Sequence, residues 1–153
     1  MRPDETILSA VAQLDVEHNH RYQRRDVTGD DVPETFCNTY VADFLDLMRC
    51  PLPGGMLARE QIEWMGGPVG AAAGWLPCDG ALASVVAELG QPTIATWLNP
   101  NGHSHVAVVV PGATPGIHVA QAGAVNFSCK PIASGFGSKK PIKFWTHPPA
   151  TKE

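Results

Sequence analysis

Two residues stand in positions where they could do covalent chemistry together. Cys37 lies near the head of the stretch Thr35-Phe36-Cys37-Asn38-Thr39-Tyr40-Val41-Ala42-Asp43-Phe44-Leu45-Asp46-Leu47-Met48, and His105 opens the apolar run His105-Val106-Ala107-Val108-Val109-Val110. The first stretch has helical periodicity. A thiol in the first turn of a helix meets unpaired backbone N–H groups and about half a positive charge. Both favour a thiolate and are expected to draw the Cys37 pKa below its free value of about 8.5. A nucleophilic thiol also needs a base, usually histidine, and a third polar group to orient the ring.

His105 is the best base in the sequence, because it sits at the mouth of a strand where a side chain is held yet open to solvent. A lone histidine there would most often be a surface residue; the helix-start cysteine is what raises it. His103, two residues away, suggests a metal-binding pair, but no matching ligand motif accompanies it, so no metal is expected. For the orienting group, the returning strand Ile117-His118-Val119-Ala120-Gln121-Ala122 offers His118 and Gln121. They have opposite parity, so a regular strand aims only one of them at the face of His105. Pairing Val110 with Ile117 selects His118, whereas a one-residue shift selects Gln121. Gln121 is favoured, since it must find partners in a mostly apolar strand; the bland alternative is that it caps a turn with Asn126. A cysteine alone is more often a small buried hydrophobe than a nucleophile, and that reading is kept for Cys50, Cys78 and Cys129.

The elements that must position these residues follow from periodicity. Apolar side chains at 7, 8, 11 and 14 predict a first helix over 5–17. His18 and His20 begin a polar loop that runs to Pro33. The second helix is expected from Thr35, as N-cap, to Met48, with Cys37 on its apolar face. A third is expected over 56–65, a loop or loosely helical connector over 69–74, and a fourth over 80–89 with Leu82, Val85, Val86 and Leu89 as its apolar positions. Strands are expected over 92–98, 103–110, 117–122 and 142–145. Helices first and an antiparallel meander second make an α+β layout: one catalytic domain, residues 1–153, with a helical half (5–90), a strand half (92–146) and a polar tail (147–153).

Bulk properties narrow the function. A chain of 153 residues with 44% hydrophobic and 17% charged residues buries a sizeable core. Its net charge of −4 argues against nucleic-acid binding, which needs a basic face. No apolar run is long enough to span a bilayer. The start Met-Arg-Pro-Asp-Glu lacks the apolar core of a signal peptide, so synthesis in the cytoplasm is expected. The cysteines show no CxxC spacing for zinc or redox chemistry.

Taken together, Cys37-Asn38-x-Tyr40-Val41-x-Asp43-x-Leu45, then His105-Val106-Ala107-Val108-Val109-Val110, then Val119-Ala120-Gln121-Ala122-Gly123 resemble the NlpC/P60 and CHAP group from about Tyr22 to Trp145. These are papain-like cysteine peptidases and amidases of peptidoglycan, found in cell-wall enzymes, phage lysins and secreted effectors. The resemblance implies a papain-like fold, Cys37 as nucleophile and His105 as general base. Gln121 falls where CHAP-like members place their orienting residue, and His118 is nearer the NlpC/P60 spacing. Tyr22 matches an upstream tyrosine used near the oxyanion. Tyr22, Asn38 and Trp97 are the expected substrate-binding residues; Trp64, Trp75 and Trp97 either line a groove or fill the core. Phe36-Cys37-Asn38-Thr39-Tyr40 departs from the family's usual Asp-Cys-Ser-Gly-Phe, which leaves the bond cut open.

The implied function is hydrolysis of a stem-peptide amide through an acyl-enzyme, which requires no metal or organic cofactor. It would take place in the periplasm or extracellular wall, reached through lysis or a specialised export route, with an immunity protein or export machinery as partners if the chain is an effector. The alternatives are a papain-like acyltransferase or deamidase, and a non-catalytic binding module.

Overall fold

The computed structural model describes residues 3–148, and of residues 3–5 only the backbone. Helices α1 (Pro3–Leu14), α2 (Cys37–Leu47), α3 (Ala58–Met65) and α4 (Pro68–Ala72) come first. After them come β1 (Leu76–Cys78), α5 (Gly80–Glu88), β2 (Thr93–Trp97), β3 (His105–Val110), β4 (His118–Gln121), β5 (Phe127–Pro131), α6 (Ala133–Phe136) and β6 (Lys143–Thr146). All strand pairings are antiparallel and the sheet order is β1-β6-β2-β3-β4-β5. The expected α+β architecture is present.

Strands β2 to β5 form the expected meander. The last strand does not close an edge: β6 inserts between β1 and β2, pairing Leu76 with Thr146 on one side and Thr93 with Thr146 on the other. Strands β1 and β5 and helix α6 escaped the sequence pattern, because Leu-Pro-Cys and Phe-Ser-Cys-Lys-Pro carry no apolar alternation. Each includes a proline, which suits an edge position. Central strand β3 is fully buried from Val106 to Val110, the near-continuous apolar run of a strand covered on both faces. Helix α5 lies on the face of Phe144, the side chain nearest Gly80 after Ile117. The end of α3 lies on the opposite face, where a Cβ on Gly66 would stand 3.1 Å from the Trp145 ring.

Two helix expectations need correction. Helix α2 begins at Cys37, not Thr35. Its N-cap is Phe36 (φ −124°, ψ 34°), which makes no side-chain capping bond. The Phe36 ring instead packs beneath Arg25, whose guanidinium carbon is 4.4 Å from the ring centroid. Residues 25 and 34 exchange backbone hydrogen bonds of 3.1 and 2.7 Å that tie down the loop leading into Cys37. Helix α5 is rotated from the expected face: Ala83 and Ala87 are buried, whereas Leu82, Val85 and Leu89 are about half exposed or more. A helix lying close on a sheet selects small side chains at the contact, and packing at that density excludes leucine. The first residue of the expected polar tail is packed against the fold. His147 is partly buried, bonds the Ala73 carbonyl at 2.7 Å and stacks edgewise on Trp75; residues 149–153 lie outside the described residues.

The rotation of α5 is testable by thermal or denaturant unfolding. Ala83→Leu is expected to destabilise the fold by about 1–3 kcal/mol through overpacking, and Leu82→Ala to change it by no more than about 0.5 kcal/mol. The reverse ranking would restore the Leu82 face.

Candidate functional site

Helix α2 packs on β3, and this brings the two chemistry-bearing residues to one place. The backbone N–H groups of Val106, the residue after His105, and of Asn38 and Cys37 itself lie close enough to the Cys37 thiol to favour its thiolate. The missing side-chain cap has a direct consequence here. With Phe36 at N-cap, no hydroxyl or carboxylate occupies the first amides of α2, and they are left to the thiol.

These N–H groups do not win outright. Cys37 is 7% exposed, and burial pushes its pKa above the ordinary thiol value, while the three amides pull in the opposite direction with less effect. The expected depression is therefore not what the geometry delivers. Desolvation of a thiolate outweighs the helix terminus, and the resting side chain is a protonated thiol at neutral pH.

The register of β4 decides the orienting residue. Val110 pairs with His118, Val109 with Val119 and Val108 with Ala120. This is the one-residue shift, and it puts Gln121 rather than His118 on the face of His105. His105 Nε2 and Gln121 Oε1 are 2.7 Å apart. The Gln121 amide nitrogen donates to the Val125 carbonyl at 2.9 Å, so its oxygen is the end left for the ring. His105 Nε2–H therefore donates to Gln121, and Nδ1 carries the lone pair. That is the tautomer a general base needs. Burial lowers the His105 pKa from 6.5, with a smaller lowering from Lys140, and the Gln121 bond opposes both.

His118 has a different job. It is 5% exposed, bonds the Thr114 hydroxyl at 2.7 Å through Nε2, and presses on Gly112 from the other face of the sheet. His103 is exposed in the turn before β3. The turn-capping alternative is also realised: Gln121 donates to the Val125 carbonyl and Asn126 accepts from the Gly123 N–H at 2.8 Å, both within the β4–β5 turn, while Asn126 also donates to the Tyr22 carbonyl at 2.8 Å.

The expected substrate-binding residues separate. Trp97 is the direct cross-strand partner of His105, partly exposed and on the same face. The Asn38 side-chain amide instead donates to the Met56 carbonyl at 2.9 Å, and the Asn38 backbone carbonyl accepts from the Gln61 side-chain amide at 2.9 Å, so this residue braces α2 against α3. The Tyr22 hydroxyl donates to Asp43 Oδ2 at 2.6 Å, six residues along α2 from Cys37. Arg21 grips the same carboxylate at 2.7 and 3.2 Å. Tyr22 is buried against Tyr40, and burial together with the Asp43 charge holds its phenol well above its ordinary range. Trp75 fills the core and donates to the Pro51 carbonyl at 2.8 Å. A groove of about 500 Å³ lined by Ile62, Gly66, Thr96, Lys143 and Trp145 opens on the sheet face opposite Trp97.

Three contributors lay outside the sequence reading. A Cβ on Gly135 would fall 2.1 Å from Gln121 Oε1, so only glycine lets α6 close over that amide. The Phe136 ring lies 4.7 Å from the His105 ring. Lys140 sits with Nζ 4.3 Å from the Trp97 centroid. The run Ser134-Gly135-Phe136-Gly137-Ser138 was the available signal: its glycines mark backbone that side chains cannot occupy, Gly135 where α6 approaches Gln121 and Gly137 where the helix ends at φ 72°. Away from this site, Asp26, Asp30 and Glu34 bring carboxylate oxygens within 4.8 Å of one another. Those of Asp26 and Glu34 already accept from the backbone N–H groups of Gly29, Asp31 and Val27 and from the Thr28 hydroxyl, which closes the loop before α2.

No protein-family model matches the chain, and no curated protein matches it in sequence.

An NMR titration of the His105 ring is expected to give a pKa below 6.5. Gln121→Leu, which removes the acceptor and keeps the site dry, is expected to lower it further, because the lost bond favours the imidazolium. Folding is linked to the same shift. The unfolded chain takes up a proton near pH 6.5 that the folded chain refuses, so stability contributed by neutral His105 declines as pH falls below that value and levels off below the folded pKa.

Proposed function

We propose that the chain is a cysteine-dependent peptidoglycan hydrolase that cleaves a stem-peptide amide through an acyl-enzyme. The observation that carries the cysteine chemistry is the His105–Gln121 hydrogen bond at the end of β3, with Cys37 on the helix that packs against that strand and close enough to the Val106 amide for its N–H to favour the thiolate. The wall substrate rests on the resemblance of these same three segments to the NlpC/P60 and CHAP group, and the antiparallel sheet behind a helix-start cysteine is compatible with a papain-like fold.

In this reading His105 Nδ1 takes the proton as Cys37 Sγ attacks the amide carbonyl. The raised Cys37 pKa and lowered His105 pKa make the resting state a neutral thiol and a neutral imidazole, so proton transfer accompanies attack. The tetrahedral oxyanion is met by the uncapped amide of Cys37 at the head of α2. The imidazolium returns its proton to the leaving amine, and water, deprotonated by His105, releases the acyl group. Trp97 offers a flat wall beside the base. Every group invoked is a side chain or backbone amide of this chain.

The decisive experiment is digestion of purified sacculi followed by mass spectrometry of the released muropeptides. Wild type is expected to create new amine and carboxyl termini in the stem, and Cys37→Ala none. His105→Ala is expected to lose about 10²–10⁴-fold in kcat. Gln121→Ala should lower kcat, whereas His118→Ala should act on stability alone. Intact sacculi with wild type, alongside acyl transfer or deamidation of a protein amide, would move the same residues to a transferase or deamidase. Unmodified amides of both kinds would leave a binding module.

The pH dependence follows from the base. His105 works when neutral, and its pKa lies below 6.5. The rate is therefore expected to rise on an acidic limb centred below 6.5 and to be level through neutral pH. A limb centred above 6.5 in kcat/KM would contradict this assignment.

A further inference from the structure

We infer that Asn126 is a positioning residue for the base: its side chain locks the peptide to which Gln121 is anchored and ties that peptide to the segment gripping α2. This rests on the Cys37–His105 chemistry proposed above but not on which amide is cut.

The β4–β5 turn depends on such a lock. Among the described residues, no backbone–backbone hydrogen bond joins one residue of 122–126 to another. Two side chains close the turn instead. Gln121 Nε2 donates to the Val125 carbonyl at 2.9 Å, and the Gly123 N–H donates to Asn126 Oδ1 at 2.8 Å. The Val125 carbonyl belongs to the planar peptide unit that joins Val125 to Asn126. Whatever fixes Asn126 therefore fixes the direction of that carbonyl, and through it the end of the Gln121 amide that meets His105.

Asn126 is itself held from a distant part of the chain. Its Nδ2 donates to the Tyr22 carbonyl at 2.8 Å and to the Val16 carbonyl at 3.2 Å. Tyr22 is buried, and its hydroxyl donates to Asp43 of α2 at 2.6 Å. A line of contacts thus runs from the His105 ring through Gln121, Val125 and Asn126 to Tyr22 and the helix headed by Cys37. Of side chains this short, only asparagine offers an acceptor on one side and two donors on the other in a single plane. Aspartate has the same size and keeps the acceptor for Gly123, but it sets a carboxylate oxygen against two carbonyls.

The lock matters because the two ends of the Gln121 amide have nearly the same shape. Rotated by half a turn, the amide presents N–H groups to the ring. His105 then answers with the opposite tautomer, its lone pair on Nε2 and its proton on Nδ1. In that state Nδ1 has no capacity to take the Cys37 proton.

Nitrogen NMR of the imidazole ring, combined with a double-mutant cycle, tests the role. Wild-type His105 is expected as a single tautomer with its proton on Nε2. Asn126→Ala should admit the tautomer protonated on Nδ1 and lower the ring pKa, as loss of the Gln121 bond does. It should also lower kcat on sacculi by about three- to tenfold with little change in KM, the net worth of about one hydrogen bond. In a Gln121→Leu background, Asn126→Ala should move neither the ring nor kcat further, since its effect passes through Gln121. Glu17→Ala is the control. Glu17 Oε1 accepts from the Ser128 N–H at 3.0 Å, a second tie between the same two segments, so its loss should lower stability and leave the ring as in wild type. If Asn126→Ala does not fold, Asn126→Asp, which keeps the volume and the Gly123 bond, carries the same expectation for the ring.

A ring unchanged in the Asn126 variants, or an effect that adds to that of Gln121→Leu, overturns the role of Asn126 and leaves the hydrolase reading standing. The ring is read without substrate. A wild type that shows the expected tautomer shift between variants yet leaves sacculi intact overturns the hydrolase reading and keeps Asn126 as the residue that orients the ring.

Discussion

The hydrogen bond between His105 Nε2 and Gln121 Oε1 is the contact on which the rest of the site depends. At 2.7 Å it fixes the ring's orientation and tautomer together, and it exists because three separate pieces of backbone allow it. The β3–β4 register brings Gln121 to the right face. The Val125 carbonyl turns the amide so that oxygen meets the ring. Gly135 leaves space where any side chain would strike that oxygen. Each piece comes from a different element, so the sheet, the β4–β5 turn and α6 must all form before the imidazole has a defined basic nitrogen.

The thiol is set by an opposing pair of influences. A helix terminus with no side-chain cap supplies N–H groups, and close packing of α2 on the sheet removes water. Removal of water dominates at rest. The N–H groups are not wasted by that outcome, since a neutral thiol makes small demands on them and an oxyanion makes large ones. For the proposed reaction, this arrangement suits charge that appears during attack rather than a standing thiolate–imidazolium pair. The Arg21–Asp43–Tyr22 cluster reinforces this arrangement from a distance by anchoring the 3-10 turn at His20–Tyr22 to the middle of α2.

Much of this was legible in the sequence because it is local. The apolar periods of α2, β2, β3 and β4 mark those elements, and the order helix-start cysteine, strand-start histidine, polar returning strand is visible by eye. Gln121 could be narrowed only to a choice with His118, since parity is local but register is set by the turn at Pro111–Gly116. What the sequence withheld is all non-local. Thr35 looks like a cap, but Phe36 takes that place because Arg25 covers its ring. Leu82 and Val85 look like a core face, but the sheet admits only Ala83 and Ala87. Tyr22 and Asn38 are chemically suited to substrate, yet their polar atoms are taken by Asp43 and Met56. Gly135 and Lys140 act through contacts with residues more than ten positions away.

The position of β6 has a consequence for how the chain acquires this structure. Strand β2 lies between β3 and β6, and β1 touches the sheet only through β6. The helices and the β2–β5 meander can assemble from neighbouring segments as they emerge from the ribosome. Strands β1 and β2 cannot be joined until Lys143–Thr146 arrives to slot between them. Until then β2 presents an open edge of alternating Thr, Ile and Trp, a surface that invites pairing with other chains. Insertion of one four-residue strand ends that exposure, and the same segment carries the chain past Lys140. The β2 edge is thus sealed only after every other strand of the sheet has been made, and the nascent protein carries its aggregation hazard until then.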